Sequence, residues 1–232
     1  MKIVKNDLYD YKNRYIYQAE NCFKFSLDSI LLAEYTQVKS NLRILDMCSG
    51  NAVIPLILST KTKSNIVAFE IQNEIANLAK ESVKLNKLEN QIEVINDDVN
   101  NIDKYFNKCF FDIIVCNPPY FKNASSLINI NEKKAIARHE IKINLDKIFK
   151  ISFDYLKSNG ILYMSHRSDR LDEIINLAIK YNLRVKELVF VQTKRNNISM
   201  ILVKCIKNSK SGIKINVVDV SKCSTYQHIF ER

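Results

Sequence analysis

The stretch Ile-Leu-Asp-Met-Cys-Ser-Gly-Asn-Ala-Val-Ile-Pro-Leu-Ile-Leu, residues 44–58, decides the fold of this 232-residue chain. It predicts a short apolar strand, a turn of small residues and the start of a helix. Cys48 and Gly50 in the turn let the backbone approach a ligand closely, and a helix start favours polar or anionic groups. Asp46, at the carboxyl end of the strand, can hold a cationic amine. A turn with a single glycine is equally compatible with a purely structural role.

Working outward from this stretch, apolar runs alternate with helical patterns. Strands are predicted at 42–47, 65–70, 91–96, 111–116, 161–165, 185–192 and 198–206. Helices are predicted at 55–59, 73–88, 145–157 and 169–181, with Gly160 as a left-handed cap after the third. The turn at 193–197 is short enough for an antiparallel pair. The chain is therefore expected to form one α/β domain over 1–232, with a mostly parallel sheet and an antiparallel strand near the C-terminal end.

The charge of the chain is strongly positive, at +10 with a pI of about 9.2. Nine Lys or Arg residues face a single acid, Glu187, between 180 and 214. This excess suits a polyanionic partner, although a genome rich in lysine codons would also produce it. No apolar run is long enough for a membrane span, no signal peptide is recognisable, and a cytoplasmic location is expected.

The cysteines and histidines give no sign of a metal site. The six cysteines are scattered without a Cys-x-x-Cys pair, and the three histidines add no zinc-ligand spacing. We expect reduced thiols and no metal, and we assume a monomer while the sequence leaves the oligomeric state open.

Acidic residues follow three successive predicted strands. Glu70 comes after Asp46 at about the 20-residue offset at which an acid meets ribose hydroxyls. Asp98, favoured over Asp97, can accept a hydrogen bond from an adenine amino group. Glu70 has a plainer role as an acid at the start of the next helix, and Asp97 or Asp98 as a helix cap. Together they favour an adenosyl ligand, and the missing glycine fingerprint and Walker lysine argue against NAD enzymes and ATPases.

The most specific motif is Asn117-Pro118-Pro119-Tyr120, followed by Phe121. An exocyclic amine is a poor nucleophile because its lone pair is delocalised. The Asn117 side-chain oxygen and the Pro118 carbonyl can each accept one of its hydrogens, which frees the lone pair for in-line attack on a methyl group. Tyr120 can stack on a flat substrate, with Pro119 and Phe121 beside it. The plainer alternative is a Pro-Pro turn after a buried strand.

These residues resemble the amino-methyltransferases, and the whole chain resembles the bacterial tRNA(Val) (adenine-N6)-methyltransferase family, which modifies adenine 37 beside the anticodon. The likeness runs from about Gln18 to Lys214. Its further segments are Phe25-Ser26-Leu27-Asp28, Leu31-Leu32-Ala33, Leu45-Asp46-Met47-Cys48-Ser49-Gly50-Asn51, Glu70-Ile71-Gln72, Cys116-Asn117 and Ala137-Arg138-His139-Glu140. Ala52 departs from the family, in which glycine is usual.

The resemblance implies a Rossmann-like class I methyltransferase sheet that binds S-adenosyl-L-methionine and tRNA. The implied cofactor residues are Asp28, Asp46, Cys48, Gly50, Glu70, Ile71, Asp98 and Asn117. Asn117, Pro118 and Tyr120 would be catalytic. Pro119, Tyr120, Phe121, Arg138, Lys194 and Arg195 would contact the substrate. Segment 1–41 is expected to pack on the cofactor site and segment 122–142 to cover the substrate. A solvated helix is an equally good interpretation of 122–142. A solvated turn is an equally good interpretation of Lys194-Arg195.

Three other functions share parts of this pattern. A DNA or ribosomal RNA adenine methyltransferase would need the same stacking and acceptor residues. A release-factor glutamine methyltransferase also carries Asn-Pro-Pro-Tyr, but places a helical domain before the cofactor turn, whereas 45 residues precede Asp46 here. A non-catalytic RNA-binding protein could keep the fold, although it would not require Asn117 and Tyr120.

Overall fold

A central sheet of eight strands and a separate two-stranded hairpin organise the computed structural model, which describes residues 3–8, 11, 13–19, 27–118, 143–192 and 198–220. The strands are β1 (Ile3–Asp7), β2 (Tyr15–Ala19), β3 (Arg43–Asp46), β4 (Asn65–Phe69), β5 (Ile92–Ile95), β6 (Phe111–Cys116), β7 (Leu156–Arg167), β8 (Leu183–Gln192), β9 (Ile198–Lys207) and β10 (Lys214–Asp219).

The helices are α1 (Leu27–Tyr35), α2 (Val53–Leu58), α3 (Asn73–Leu85), α4 (Leu145–Tyr155) and α5 (Leu171–Lys180), and two 3-10 turns cover Val99–Lys104 and Ser168–Arg170. Helices α3, α4 and α5 are amphipathic, so each buries one apolar stripe. Within the described ranges, the helices are too short or too polar to cross a membrane.

The strand order of the large sheet is β10-β8-β9-β7-β6-β3-β4-β5. Strand β9 runs antiparallel to both of its neighbours, β7 and β8, while the other adjacent strands pair in parallel. This confirms the predicted mostly parallel sheet with an antiparallel strand near the C-terminal end. Strand β3 has β4 on one side and β6 on the other, so the direction of winding reverses there. Ligands of such sheets bind at this reversal, outside the carboxyl ends of the strands.

The central strands are buried on both faces, as the apolar sequence of β6 predicts. Ile114 and Cys116 pack in the cluster that includes helix α4, whereas Ile113 and Val115 face the cluster that includes α1 and α2. Burial of one such side chain contributes about 2 kcal/mol, and this two-sided core makes β3 and β6 a rigid base for the residues that follow them.

The end of α4 differs from the prediction. The helix ends at Tyr155 and β7 begins at Leu156, so the helix is shorter and the strand longer than expected. Asn159, with φ 62°, takes the left-handed conformation that we assigned to Gly160. A Cβ atom at Gly160 would lie 2.9 Å from the Lys157 carbonyl oxygen, so this glycine serves close packing and not a helix cap.

Helix α1, the β1–β2 hairpin and strand β10 were not predicted. The hairpin of β1 and β2 docks on α3, where the Tyr17 amide donates to Ser82 Oγ at 2.9 Å and the Tyr15 amide to Asn86 Oδ1 at 3.0 Å. Strand β10 extends the sheet by pairing in parallel with β8.

Candidate active site

The carboxyl ends of β3, β4, β5 and β6 meet at one edge of the sheet. Asp46 closes β3, Glu70 follows β4, and Asn117 follows β6. In the register of β3 and β6, Asp46 lies opposite Val115, two residues before Asn117. The structure therefore brings the acids and the amide predicted from the sequence together around the point at which the winding reverses.

The turn after β3, residues 47–52, has the open geometry expected of a ligand-binding turn, and we call it the cradle. Gly50 has φ 53°, and a Cβ atom built on it would meet no other atom within 4 Å. The backbone amides of Met47 and Ser49 donate to Val115 and Phe69 carbonyls at 3.0 and 2.9 Å, which ties the turn to the two neighbouring strands. These two backbone hydrogen bonds hold the cradle against the sheet.

Ala52 keeps the helix start in the form that glycine would give it. Its φ of 64° and ψ of 31° place it in the left-handed region, and α2 begins at the next residue. Alanine pays about 1–2 kcal/mol for this conformation. The departure from the family pattern therefore leaves the geometry of the turn intact.

Asp46 is a fully buried carboxylate at the floor of the cradle. Neither of its oxygens makes a well-formed hydrogen bond with a described residue. Burial raises the pKa of Asp46 to about 7, Glu70 adds to the rise, and the polar groups of Ser49 and Cys48 oppose it. A buried acid of this kind is stabilised by a cationic ligand.

Glu70 is the second buried acid. Its two oxygens accept the backbone amides of Gly50 and Gln72, each at 2.9 Å, and burial raises its pKa against these two bonds. Ile71 follows it, and Asn96 Nδ2 donates to the carbonyls of Glu70 at 2.8 Å and Ile71 at 3.3 Å. Glu70 is therefore held against the glycine of the cradle, with further lone pairs available to hydroxyl donors.

The acids after β5 have different surroundings. Asp97 accepts hydrogen bonds from the Asp98 amide, Asn101 and Tyr105, which lower its pKa. Asp98 caps the following 3-10 turn by accepting the Asn100 amide at 2.9 Å. Asp97 is thus committed to its own loop, and Asp98 caps the turn, as its plainer alternative predicts.

The thiols near the cradle are free. Cys48 is half-buried, and Cys116, directly before Asn117, is fully buried. Burial raises the pKa of the Cys116 thiol, and the neighbouring Cys48 raises it further. Among the described residues, no group of three or more His, Cys, Asp or Glu side chains could hold a metal ion.

Asn117 is held by two serines that the sequence reasoning missed. Ser165 Oγ donates to Asn117 Oδ1 at 2.7 Å, and Asn117 Nδ2 donates to Ser29 Oγ at 2.8 Å. Ser29 lies in the first turn of α1, next to Asp28, so α1 brings Asp28 toward the same edge. Ser165 ends an apolar run on β7, which is the same signal that identified Asp46.

Several predicted residues lie outside the described ranges. They are Pro119, Tyr120, Phe121, Arg138, Lys194 and Arg195, together with segment 122–142. Pro118 is described and buried.

Comparison with known proteins agrees with this architecture. The family model of the methyltransferase small domain matches residues 24–173. The tRNA1(Val) (adenine(37)-N6)-methyltransferase of Bacteroides thetaiotaomicron is 30% identical over 194 residues, covering 82% of this chain and 78% of the relative. This confirms the resemblance predicted from the sequence.

Two solved structures share the fold. A predicted O-methyltransferase from Agrobacterium tumefaciens aligns with a TM-score of 0.62 and 20% identity, over 82% of this chain and 86% of that chain. The geranyl diphosphate C-methyltransferase of Streptomyces coelicolor, solved with S-adenosyl-L-homocysteine, aligns with a TM-score of 0.57 and 9% identity, over 77% and 78%. The chain belongs to the methyltransferase small domain family.

Proposed function

We propose that this protein transfers a methyl group from S-adenosyl-L-methionine to the N6 amine of adenine 37 in a valine tRNA. The observation that carries the proposal is the amide of Asn117, held at the end of β6. The neighbouring strand β3 ends in Asp46, and Glu70 follows β4, the next strand of the sheet. The curated relative, which matches most of the chain, acts on that nucleotide according to its name.

The residues of the cradle fit the cofactor. Asp46, buried without a well-formed hydrogen bond to a described residue, suits the ammonium of the methionine moiety. Glu70 suits the ribose hydroxyls, Asp98 the adenine amine, and the open space at Gly50 leaves room for the ligand. When bound, S-adenosyl-L-methionine supplies an electrophilic methyl group. Cys48, Ile71 and Asp28 would complete the cofactor contacts.

The chain's own contribution to the chemistry is to orient the target amine. The Asn117 side-chain oxygen and the Pro118 carbonyl would each accept one amine hydrogen, which directs the nitrogen lone pair toward the methyl group. The amine becomes acidic as it gains charge, so no strong base is required. We assign stacking of the adenine to Tyr120, with Pro119 and Phe121 beside it, on the sequence pattern alone.

The RNA would approach over the same edge. Strand β8 ends at Gln192 at the carboxyl edge, because β9 runs antiparallel to both β7 and β8. Lys194 and Arg195 connect β8 to β9 there, and residues 119–142, which directly follow Asn117-Pro118, contain five Lys or Arg and two acids. We propose that Arg138, Lys194 and Arg195 contact phosphates and that 122–142 covers the substrate. A tRNA substrate would place the reaction in the cytoplasm.

Transfer of labelled methyl groups from S-adenosyl-L-methionine to unmodified tRNA tests the proposal. The wild-type protein should label a tRNA(Val) transcript and not one with guanine at position 37, while Asn117→Ala should lose at least about 100-fold in rate. Duplex DNA and ribosomal RNA are the comparison substrates. A folded protein that binds the cofactor but labels DNA or ribosomal RNA faster than any tRNA would contradict the proposed substrate.

A further inference from the structure

Ser165 is placed by the sheet directly beside the amide of Asn117. Cys116 pairs with Met164 in the parallel register of β6 and β7, so the next residue on each strand, Asn117 and Ser165, also lie side by side. Ser165 is fully buried, and its hydroxyl donates to Asn117 Oδ1 at 2.7 Å.

Ser29 completes the arrangement from the opposite side. It belongs to α1, which packs against α2 and β7, and its Oγ accepts the Asn117 Nδ2 hydrogen at 2.8 Å. The oxygen and the nitrogen of one amide are thus each hydrogen bonded, to two different elements of the fold.

This clamp matters because the last torsion of an asparagine side chain is soft. The terminal χ2 angle has a broad, nearly two-fold energy profile, so an unsupported amide would turn and exchange its acceptor for its donor. Two hydrogen bonds fix the plane of the amide before substrate arrives. An amide oxygen can accept two hydrogen bonds, so accepting from Ser165 is compatible with accepting from a substrate amine.

We propose that Ser165 is a positioning residue for methyl transfer, which acts by holding the Asn117 amide plane together with Ser29. This inference rests on the proposed role of Asn117. Ser165 need not touch the cofactor or the tRNA, because its effect passes through the amide. The loss of such support is expected to reduce the rate of the chemical step and to spare ground-state binding.

The test compares Ser165→Ala, Ser165→Thr and a matched control, Ser152→Ala. Ser152 is also fully buried, but lies on α4, away from the site. We expect Ser165→Ala to lower kcat for tRNA methylation by roughly 10–100-fold, with KM for tRNA and Kd for S-adenosyl-L-homocysteine within about twofold of wild type. Ser165→Thr, which retains the hydroxyl, should restore most of the rate, and Ser152→Ala should leave it unchanged.

A second measurement needs no methyl transfer. The side-chain NH2 signal of Asn117 in a 15N NMR spectrum, assigned by its loss in Asn117→Ser, should shift and broaden in Ser165→Ala but not in Ser152→Ala. An unchanged signal, an unchanged kcat, or a parallel loss of kcat, cofactor binding and thermal stability would each overturn the positioning role. If wild-type protein labels no tRNA, the proposed function fails, and the NMR comparison still decides whether Ser165 holds the amide.

Discussion

At the residue scale, the buried carboxylate of Asp46 lowers the stability of the ligand-free protein. Burial of this carboxylate, which makes no well-formed hydrogen bond with a described residue, is costly and raises its pKa to about 7. The rest of β3 is apolar apart from the exposed Arg43, so a neutral residue would be accepted at position 46. We propose that an acid is retained there because a bound cation offsets its burial.

Replacing Asp46 with asparagine should therefore stabilise the ligand-free protein at alkaline pH. Because the folded pKa of about 7 lies above the unfolded value, wild-type stability falls as the pH rises toward and through 7. Asp46→Asn lacks this loss, and its free energy of unfolding at pH 8 should exceed that of wild type by about 2 kcal/mol. Urea unfolding at pH 5 and pH 8 measures the difference. The exposed Asp103→Asn is the control, and equal stability of Asp46→Asn and wild type at pH 8 would contradict the argument.

The same acid should make cofactor binding dependent on pH. Only the ionised carboxylate attracts an ammonium, so the affinity for S-adenosyl-L-homocysteine should fall as the pH drops below about 7, by up to about tenfold per unit. Asp46→Asn should bind more weakly at pH 8, with a flatter profile. Calorimetric titration at pH 6 and pH 8 tests this, and identical pH profiles for the two proteins would count against Asp46 as the cation partner.

The residues predicted from the sequence were those with a positional signal, at the end of an apolar strand or in a rare motif. Asp46, Glu70 and Asn117 carry such a signal. Ser29 carries no such signal, and Ser165, although it ends an apolar run, is a common residue type. Only the packing of α1 and the register of β6 with β7 bring the two serines to Asn117. Roles that depend on contacts between distant segments need the fold.

Lys207 shows at the element scale how strand β9 stabilises helix α4. Its buried ammonium donates to the carbonyls of Phe153 and Leu156, the latter at 2.7 Å, at the helix end where carbonyls lack intrahelical partners. Lys207→Met keeps the apolar stem and removes these bonds, so the free energy of unfolding should fall by about 2–3 kcal/mol. Urea unfolding measures it, with the exposed Lys147→Met on α4 as control. A loss no larger than that of Lys147→Met would contradict the role.

Asn86 fastens the β1–β2 hairpin to α3. Its side chain accepts a hydrogen bond from the Tyr15 amide and donates one to the Tyr15 carbonyl. Asn51, in the turn after β3, donates to the Tyr17 carbonyl at 2.9 Å. Asn86→Ala should accelerate hydrogen exchange of the hairpin amides by at least about tenfold. It should also weaken cofactor binding, because the hairpin supports the turn. Asn90→Ala, in an exposed loop, is the control, and unchanged hairpin protection would exclude this attachment.

Whether a segment forms a helix or a strand was predictable wherever the spacing of its apolar residues was clear, and both ends of β6 were predicted correctly. The failures have local causes. Asn159 adopts the left-handed backbone assigned to Gly160, and β10 has a half-polar edge sequence whose strand conformation depends on pairing with β8.

The charge of the whole molecule is unevenly divided. Twelve of the 35 Lys and Arg residues, but only five of the 25 Asp and Glu, lie outside the described ranges, so these segments carry seven of the ten excess positive charges. Two of them, 119–142 and 193–197, follow strands at the edge that carries Asn117. These two segments carry five of the ten excess positive charges, which favours a polyanionic substrate at this edge and argues against codon bias as the whole cause of the surplus.

Reversing the charge of Lys194 and Arg195 together should weaken tRNA binding at least about tenfold at moderate salt and reduce its salt dependence. The affinity for S-adenosyl-L-homocysteine should not change. Filter binding over a salt series measures this, with Lys63→Glu, before the amino end of β4, as control. Equal losses in the two variants would indicate a nonspecific effect of net charge.

The central claim is tested most directly in the tRNA of the organism that carries this chain. Nucleoside mass spectrometry of purified tRNA(Val) should find N6-methyladenosine at position 37 in the parent strain and unmodified adenosine in a strain with the gene deleted. Reintroduction of the wild-type gene should restore the modification, and the Asn117→Ala gene should not. Full methylation of adenine 37 in the deletion strain would contradict the account.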